Sequence, residues 1–312
     1  MPPVIISATD AHGAPAPLLD SLFSNPSAVA ADPATGDIAV ADAGGRVWVV
    51  SIDLERAFPL HGTKLPANPS GVAFDGERGA LLVTDRQTHR VLAFDRDSGA
   101  FEREIGRGRG ITAGRMLDPL AVVVHEGVAV VAEGTTHRLQ AFCIDTGLSL
   151  WTFPQDDDPT TLATPTALAI DAPRRLLWVA DSNGVRAFDI DGVDGPQLRH
   201  EVADVHCPRS LAVCRRGLLH VVDARGYAVY ERVVGGDGIT LHIPIHTDPQ
   251  LCGARGIAEA DDGGILVCHS QRVAVLPPVQ LAERRDDRGV HYLSDAAEGP
   301  AQCDRCSSST AR

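Results

Sequence analysis

The chain repeats one short sequence pattern six times, and this repeat constrains the fold more than any other feature. The aligned segments, in chain order, read NPSAVAAD, NPSGVAFD, DPLAVVVH, TPTALAID, CPRSLAVC and GARGIAEA. Their anchoring residues are Pro26, Pro69, Pro119, Pro165, Pro208 and Ala254, spaced by 43, 50, 46, 43 and 46 positions. A repeat of this length predicts a closed array of similar units rather than two unrelated domains.

Each repeat begins with the alternation that is typical of a β-strand. The second residue after the anchor is always small, and the next residue is always aliphatic. The small residues are Ala28, Gly71, Ala121, Ala167, Ser210 and Gly256, and the aliphatic ones are Val29, Val72, Val122, Leu168, Leu211 and Ile257. A period of two indicates a strand. Small side chains are expected where six innermost strands approach a common axis.

Every repeat then continues through further apolar strands. The second strand ends in an acid in five copies, as in GDIAVAD and GALLVTD, and a short polar turn leads to a third strand such as RVLAF. Fourth strands are less regular, but FEREIG, SLWTFP, QLRHEV and ITLHIP are suitable. Four strands with short turns and no helical pattern predict one blade of an all-β propeller, so six repeats predict six blades.

The second copy, from NPSGVAFD through GALLVTDRQTHRVLAFD to GAFEREIGRGRG, resembles the NHL repeat along nearly its whole length. His89 with Arg90, and His137 with Arg138, stand where that family has its His-Arg pair, and the other four copies depart from it there. The resemblance covers residues 25 to 276 and implies a six-bladed β-propeller of four-stranded blades. Similar propellers serve in ubiquitin ligases, receptor kinases, amidating lyases and scaffolds, so the resemblance implies no single function.

The two ends of the chain are expected to behave differently. Blade six lacks an evident outer strand, because Pro277 and Pro278 follow its third strand. Residues 4 to 8, VIISA, are a spare strand, and we predict that they complete blade six and remove an exposed sheet edge. The propeller then spans residues 1 to 278, and residues 279 to 312 are expected to form a flexible tail.

The acids that end the second strands form the main candidate site, because strand polarity places them on the face where propellers usually bind ligands. They are Asp42, Asp85, Glu133, Asp181 and Asp223, with His269 in the sixth place. In one interpretation these side chains bind a ligand, and His269 acts as a ligand or general base. In the other, each acid accepts hydrogen bonds from its own turn and pairs with the arginine four or five residues on, namely Arg46, Arg90, Arg138 or Arg186. His125 raises the same question on the opposite face, where other blades have aspartate.

One loop is strongly basic. The stretch REIGRGRGITAGR, between blades two and three, carries Arg107 and Arg109 together with Arg103 and Arg115. Its glycines fit the connector of the NHL family, but its charge does not follow from its shape. We therefore retain Arg107 and Arg109 as candidates for contact with an anionic partner.

No metal site and no cofactor are predicted. His242 and His246 lie on a strand, where four positions separate them by about 13 Å, too far for one ion. Cys303 and Cys306 lack a second pair of ligands. A nucleophile elbow, a P-loop and a dinucleotide fingerprint are absent from the sequence. Calcium or zinc would be expected only if the chain is a metal-dependent enzyme.

Charge and composition restrict the function further. The formal net charge of −13 disfavours nucleic acid and anionic membranes as partners. The N-terminal sequence lacks the features of a secretory signal, and the seven cysteines are an odd, scattered set, so a cytoplasmic protein is expected. The leading hypothesis is a non-enzymatic binding or scaffolding propeller that recognises a protein or peptide. The alternatives are a metal-dependent lyase or lactonase-like hydrolase with a site at the central channel, and an RNA-binding NHL module.

Overall fold

The structure of the chain is a computed structural model. It describes residues 4–5, 23–51, 56–154, 161–190, 195–202, 205–234, 240–248, 251, 253–260, 263–269, 272–276, 282–286 and 289–293. The regular structure in these ranges is β-strand, apart from a 3-10 turn at Ala172–Arg174 and a 3-10 residue at Leu251.

The described strands are numbered along the chain and form six four-stranded sheets. The first strand is β1 (Val4–Ile5). Sheet one contains β2 (Pro26–Ala31), β3 (Ile38–Asp42), β4 (Arg46–Val50) and β5 (Ala57–Pro59). Sheet two contains β6 (Pro69–Asp75), β7 (Ala80–Asp85), β8 (Arg90–Asp95) and β9 (Phe101–Ile105). Sheet three contains β10 (Pro119–His125), β11 (Val128–Glu133), β12 (Arg138–Cys143) and β13 (Ser149–Phe153).

The later sheets follow the same order. Sheet four contains β14 (Ala167–Asp171), β15 (Leu176–Asp181), β16 (Gly184–Asp189) and β17 (Gln197–Val202). Sheet five contains β18 (Ser210–Val213), β19 (Leu219–Asp223), β20 (Gly226–Val234) and β21 (Thr240–Asp248). Sheet six contains β22 (Gly256–Glu259), β23 (Ile265–His269) and β24 (Arg272–Leu276), with β1 as its fourth strand. All pairings within these sheets are antiparallel, which confirms the predicted all-β propeller with four-stranded blades.

The innermost strands contact one another in cyclic order. They are β2, β6, β10, β14, β18 and β22, and β22 contacts β2. Gly71 of β6 and Gly256 of β22 explain why these strands need small residues. A Cβ at Gly71 would lie 2.9 Å from the Ala121 Cα, and one at Gly256 would lie 2.9 Å from the Ala28 Cα. The second of these close approaches joins the last sheet to the first.

Apolar side chains fill the space between each sheet and the next. One cluster joins sheets one and two through Val49, Phe74 and Phe94. Corresponding clusters lie between the following pairs of sheets, and the sixth joins sheets six and one through Val40 and Leu266. Because the core is divided among the seams between sheets, each sheet depends on both of its neighbours for burial.

Five blades consist of four consecutive strands, whereas the sixth sheet is assembled from both ends of the chain. In this sheet, Val4 lies opposite Val275 and Ile5 lies opposite Ala274. The N-terminal pairing expected from the sequence is therefore present at Val4–Ile5, and residues 6 to 8 lie outside the described residues.

Within the segment predicted to be a flexible tail, β25 (Ala282–Asp286) and β26 (Gly289–Leu293) form an antiparallel hairpin. Neither this hairpin nor β5 was expected from the sequence.

Candidate functional site

Strand polarity places two kinds of connection on one side of the ring. In sheet two, Pro69 at the start of β6 lies opposite Asp85 at the end of β7, and Asp85 lies opposite Arg90 at the start of β8. The turns between second and third strands therefore lie on the same side as the connections between successive sheets. We call this side the loop face.

The five acids at the ends of the second strands are buried beneath the loop face. Asp42, Asp85, Glu133, Asp181 and Asp223 are each exposed by 3% or less. A buried carboxylate requires hydrogen-bond donors to offset its desolvation. The donors come mainly from the segment that precedes the innermost strand of the same sheet.

Asp42 and Asp85 show this arrangement most completely. The Asp42 carboxylate accepts hydrogen bonds from the backbone N–H groups of Ser24 and Asn25, at 2.7 and 2.9 Å. Asp85 accepts from the N–H groups of Ala67 and Asn68, at 3.0 and 2.9 Å. Each acid thus fixes the connection from the preceding sheet, 17 and 18 residues back in the chain.

The other three acids make equivalent contacts. Glu133 accepts from the N–H of Leu117, Asp181 from that of Ala163 and Asp223 from that of His206. Because these carboxylates are engaged within the protein, the geometry supports their structural interpretation over direct contact with a ligand.

The hydrogen bonds of Asp85 also determine its protonation. Burial alone would raise the pKa of Asp85, but three backbone N–H groups and the Thr88 hydroxyl donate to its carboxylate. Their combined effect outweighs burial, so the pKa of Asp85 lies below its ordinary value.

The predicted acid–arginine pairs are only partly present. Arg138 pairs with Glu133 at 3.0 Å, and Arg186 pairs with Asp181. Arg90 instead pairs with Glu104, because Glu104 lies on the neighbouring strand β9. Arg46 is exposed and makes no ion pair with Asp42 in the described part of the chain. The predicted pairs of Arg90 and Arg46 are therefore wrong.

The two histidines of the NHL-like pairs connect neighbouring sheets. His89 Nδ1 accepts a hydrogen bond from the N–H of Asp118 at 3.2 Å, and His137 Nδ1 accepts one from the N–H of Thr164 at 2.9 Å. Both histidines have a positive φ, near 58° and 54°, so each terminates its turn in the left-handed region. Each imidazole thus ties its own turn to the start of the next sheet.

His269 and His125 lie at opposite faces. His269 ends β23, opposite Arg272, in the position that an acid occupies in the other sheets, and it is half-buried. His125 ends β10 on the side away from the loop face, with its Nε2 3.8 Å from Glu126 Oε1. The structure does not bring the two histidines together, and their use by a ligand stays a prediction.

The basic loop between β9 and β10 presents its arginines to solvent. Arg107, Arg109 and Arg115 are exposed, and none of them pairs with a carboxylate in the described ranges. Ile111, in the same loop, is 71% exposed. The loop therefore combines unpaired positive charge with an exposed aliphatic side chain.

This loop is held in one conformation by contacts beneath it. Met116 is fully buried and exchanges backbone hydrogen bonds with Gly108 and Gly110, at 3.0 Å each. The buried Gln140 accepts from the Gly114 N–H at 3.0 Å and donates to the Arg115 carbonyl at 2.7 Å. The loop is therefore packed on sheet three and hydrogen-bonded to it.

Sequence reasoning missed further exposed side chains on the loop face. Arg209 and Arg255 immediately precede β18 and β22 and are exposed, and Leu65 is 51% exposed between sheets one and two. The alignment of repeats contained a signal for the two arginines. The residue after the anchor is Ser, Ser, Leu and Thr in the first four copies and becomes Arg in the last two.

On the opposite side, the ends of the innermost strands surround a cavity of about 360 Å³. Its lining includes Asp32, Asp171, Cys214 and Glu259, from four different sheets. Asp32 pairs with Arg96 and Asp171 pairs with Arg174, both at 3.0 Å. Glu259 accepts from the Arg215 N–H at 2.9 Å, so these carboxylates are engaged within the protein.

Within the described ranges, no group of three or more His, Cys, Asp or Glu side chains is placed to hold a metal ion. His242 and His246 lie on the backbone of β21, but their side chains are outside the description, as are Cys303 and Cys306. Cys143, Cys207, Cys214 and Cys268 are free thiols. None of the described helical structure is long and apolar enough to cross a membrane.

Comparison with known proteins supports the propeller fold and shows no specific function. No protein-family model and no curated protein sequence matches the chain. Hydrazine synthase of Kuenenia stuttgartiensis is similar in structure, with a TM-score of 0.57 and 12% identity over 79% of this chain and 74% of that chain. A chain of a nidogen/laminin complex is similar with a TM-score of 0.59 and 15% identity, over 80% of this chain and 87% of that chain. At these identities the likeness shows the propeller fold alone.

Proposed function

We propose that this chain is a six-bladed propeller of the NHL type that binds a protein or peptide on its loop face without catalysing a reaction. The observation that carries the proposal is the basic loop between β9 and β10. It is internally hydrogen-bonded, yet it exposes arginines and Ile111 to solvent. Arginine and large apolar side chains are enriched in protein interfaces, and a preorganised loop loses little entropy on binding.

The six-bladed form is supported by the seam between sheets six and one. An apolar cluster with Val40 and Leu266 fills this seam, and Gly256 approaches Ala28 closely across it. Sheet six therefore packs in the ring as the other sheets do, although its outer strand comes from the N-terminal end.

The NHL assignment is supported by His89 and His137. Their hydrogen bonds to the following sheet give a structural reason for a histidine at the start of the third strand in sheets two and three. The nidogen/laminin complex is an assembly of proteins, and we take from it only that this fold is compatible with a protein-binding face.

A peptide-display selection on the immobilised full chain tests the proposal. We expect peptides that bind in the micromolar range, and hydrogen–deuterium exchange should show protection at residues 61–67, 106–116 and 205–209 when they bind. Protection confined to the cavity on the opposite side, or a selection that yields no binding peptide, would contradict a binding role for the loop face.

A further inference from the structure

The arginines of the β9–β10 loop are brought together by the fold of the loop itself. The Arg115 guanidinium donates to the Arg109 carbonyl at 3.2 Å, and Arg109 and Met116 form an isolated bridge. The Arg107 side chain lies near Gly114, because a Cβ on that glycine would come within 3.8 Å of the Arg107 Cδ. The Arg107 and Arg115 side chains and the backbone of Arg109 therefore lie together where the loop closes, and none of the three arginines pairs with a carboxylate among the described residues.

Residues 107–116 of the loop are also fixed by contacts with sheet three, which keeps the arginines close together. Arg138 of β12 donates to the carbonyls of Ile111 and Arg115 and pairs with the buried Glu133. Glu133 in turn accepts from the Leu117 N–H at the end of the loop. Apart from the hydrogen bond from Arg115 to the Arg109 carbonyl, these backbone anchors use buried or half-buried groups, so the Arg107 and Arg109 side chains are not needed to hold the loop.

Like charges held side by side repel one another, and this repulsion is relieved when an anion binds. The whole molecule carries a net charge of −13, but exposed charges more than about 8 Å apart are largely screened at physiological ionic strength. A partner at the loop therefore responds mainly to the three arginines. Their chemistry favours carboxylate or phosphate.

The exposed side chain of Ile111 favours a peptide that carries carboxylates over a nucleic acid that carries phosphates. Its side chain is 71% exposed beside the arginines and offers an apolar contact. Single-stranded nucleic acid is usually held by aromatic stacking. The large exposed hydrophobic residues in the described part of the chain are leucine and isoleucine, with no aromatic residue among them. This composition suits an aliphatic side chain of a polypeptide better than a base.

We propose that the β9–β10 loop binds an acidic peptide segment, in which carboxylates pair with Arg107, Arg109 and Arg115 and an aliphatic side chain packs on Ile111. This inference rests on the proposed protein-binding function and specifies the chemistry of the partner. It accounts for the two features of the loop that its glycine-rich shape leaves unexplained, the charge and the exposed isoleucine.

Fluorescence anisotropy with defined probes tests the inference on the full chain. The first probe is a labelled peptide EEDLDEE, the second is the same peptide with serine in place of leucine, and the third is a uridine oligonucleotide of equal charge. The first variant is Arg107→Glu with Arg109→Glu. Its matched control is Arg46→Glu with Arg255→Glu, which makes the same change in charge at exposed arginines outside the loop and outside the segments expected to be protected.

We expect the loop double variant to weaken binding of the leucine peptide by about tenfold or more, and the control variant by no more than about twofold. Ile111→Ser should weaken binding of the leucine peptide by about threefold and leave binding of the serine peptide unchanged. The apolar contact requires both Ile111 and the leucine of the peptide. Equal losses in the two double variants, or equal effects of Ile111→Ser on both peptides, would overturn the inference.

The remaining outcomes separate this inference from the function on which it rests. Tighter binding of the oligonucleotide than of either peptide would identify a nucleic-acid site and overturn the inference. If EEDLDEE does not bind but display-selected peptides of other composition bind, the inference of an acidic partner is wrong and the proposed binding function stands. Failure of both kinds of peptide would remove the proposed function itself.

Discussion

At the scale of single residues, the second-strand acids illustrate what the sequence can and cannot predict. Their position at the end of each second strand was evident from the repeat. Their burial was not, because the donors that cover Asp42 and Asp85 lie 17 and 18 residues earlier in the chain. A local pattern cannot show whether a side chain points to solvent or is capped by a distant loop. The contacts of Arg46 and Arg90 and the exposure of Ile111 were unpredictable for the same reason.

The first residue-level prediction concerns Asp85→Asn. Each oxygen of Asp85 accepts two hydrogen bonds, and an asparagine would direct an NH₂ group at one pair of donors. We expect the free energy of unfolding to fall by about 3 kcal/mol at neutral pH, measured by chemical denaturation. The control Asp97→Asn, at an exposed carboxylate, should change stability by no more than about 0.5 kcal/mol. A neutral result for Asp85→Asn would show that the buried acid does not stabilise the fold.

Asp85 also predicts how the free energy of unfolding depends on pH. Because the pKa of Asp85 is lower in the folded than in the unfolded protein, its ionised form stabilises the fold above the unfolded pKa, near pH 4. The contribution is lost as the pH falls through the lower, folded pKa. The stability difference between the wild type and Asp85→Asn should therefore be constant from neutral pH to about pH 5 and shrink below pH 4. A difference that grows on acidification would contradict the assigned direction of the pKa.

At the scale of elements, the innermost strands were predictable because their constraint is local. Only small residues fit two positions after each anchor, and the alternation fixes which side chains face the seam. The short strand β5 and the hairpin of β25 and β26 lack such a repeated signal, because they belong to single copies or lie outside the repeat. These strands are evident only from their pairing with a neighbouring strand in the structure.

The close approach of the innermost strands predicts the effect of an added methyl group. A Cβ at Gly71 or Gly256 would meet the backbone of the adjacent sheet at 2.9 Å. We expect Gly71→Ala and Gly256→Ala each to lower the free energy of unfolding by about 2 kcal/mol. Gly44→Ala is the control, since the nearest atom to its Cβ would be 3.8 Å away. A neutral Gly256→Ala with a destabilising Gly71→Ala would show that the seam between sheets six and one is looser than the others.

At the scale of the whole molecule, the cyclic contacts of the innermost strands hold the connections of the loop face in one arrangement. A buried acid holds the connection that leads into each of sheets one to five, and each sheet packs on two neighbours. The sequence identified the number of repeats and the spare N-terminal strand, because both leave a visible pattern. It could not identify which side chains remain exposed on the assembled face, since that depends on contacts between distant repeats.

Pairing of β1 with β24 closes the ring in sheet six, and thermal unfolding of two truncations tests this closure. Deleting residues 1–8 removes β1 from the edge of β24, where Val4 and Ile5 pair with Val275 and Ala274. Deleting residues 294–312 leaves every described strand in place. We predict that the first deletion lowers the melting temperature of the whole protein by about 5 °C and the second by about 1 °C or less. An unchanged melting temperature without residues 1–8, or a larger loss from the C-terminal deletion, would contradict closure of the ring by the N-terminal strand.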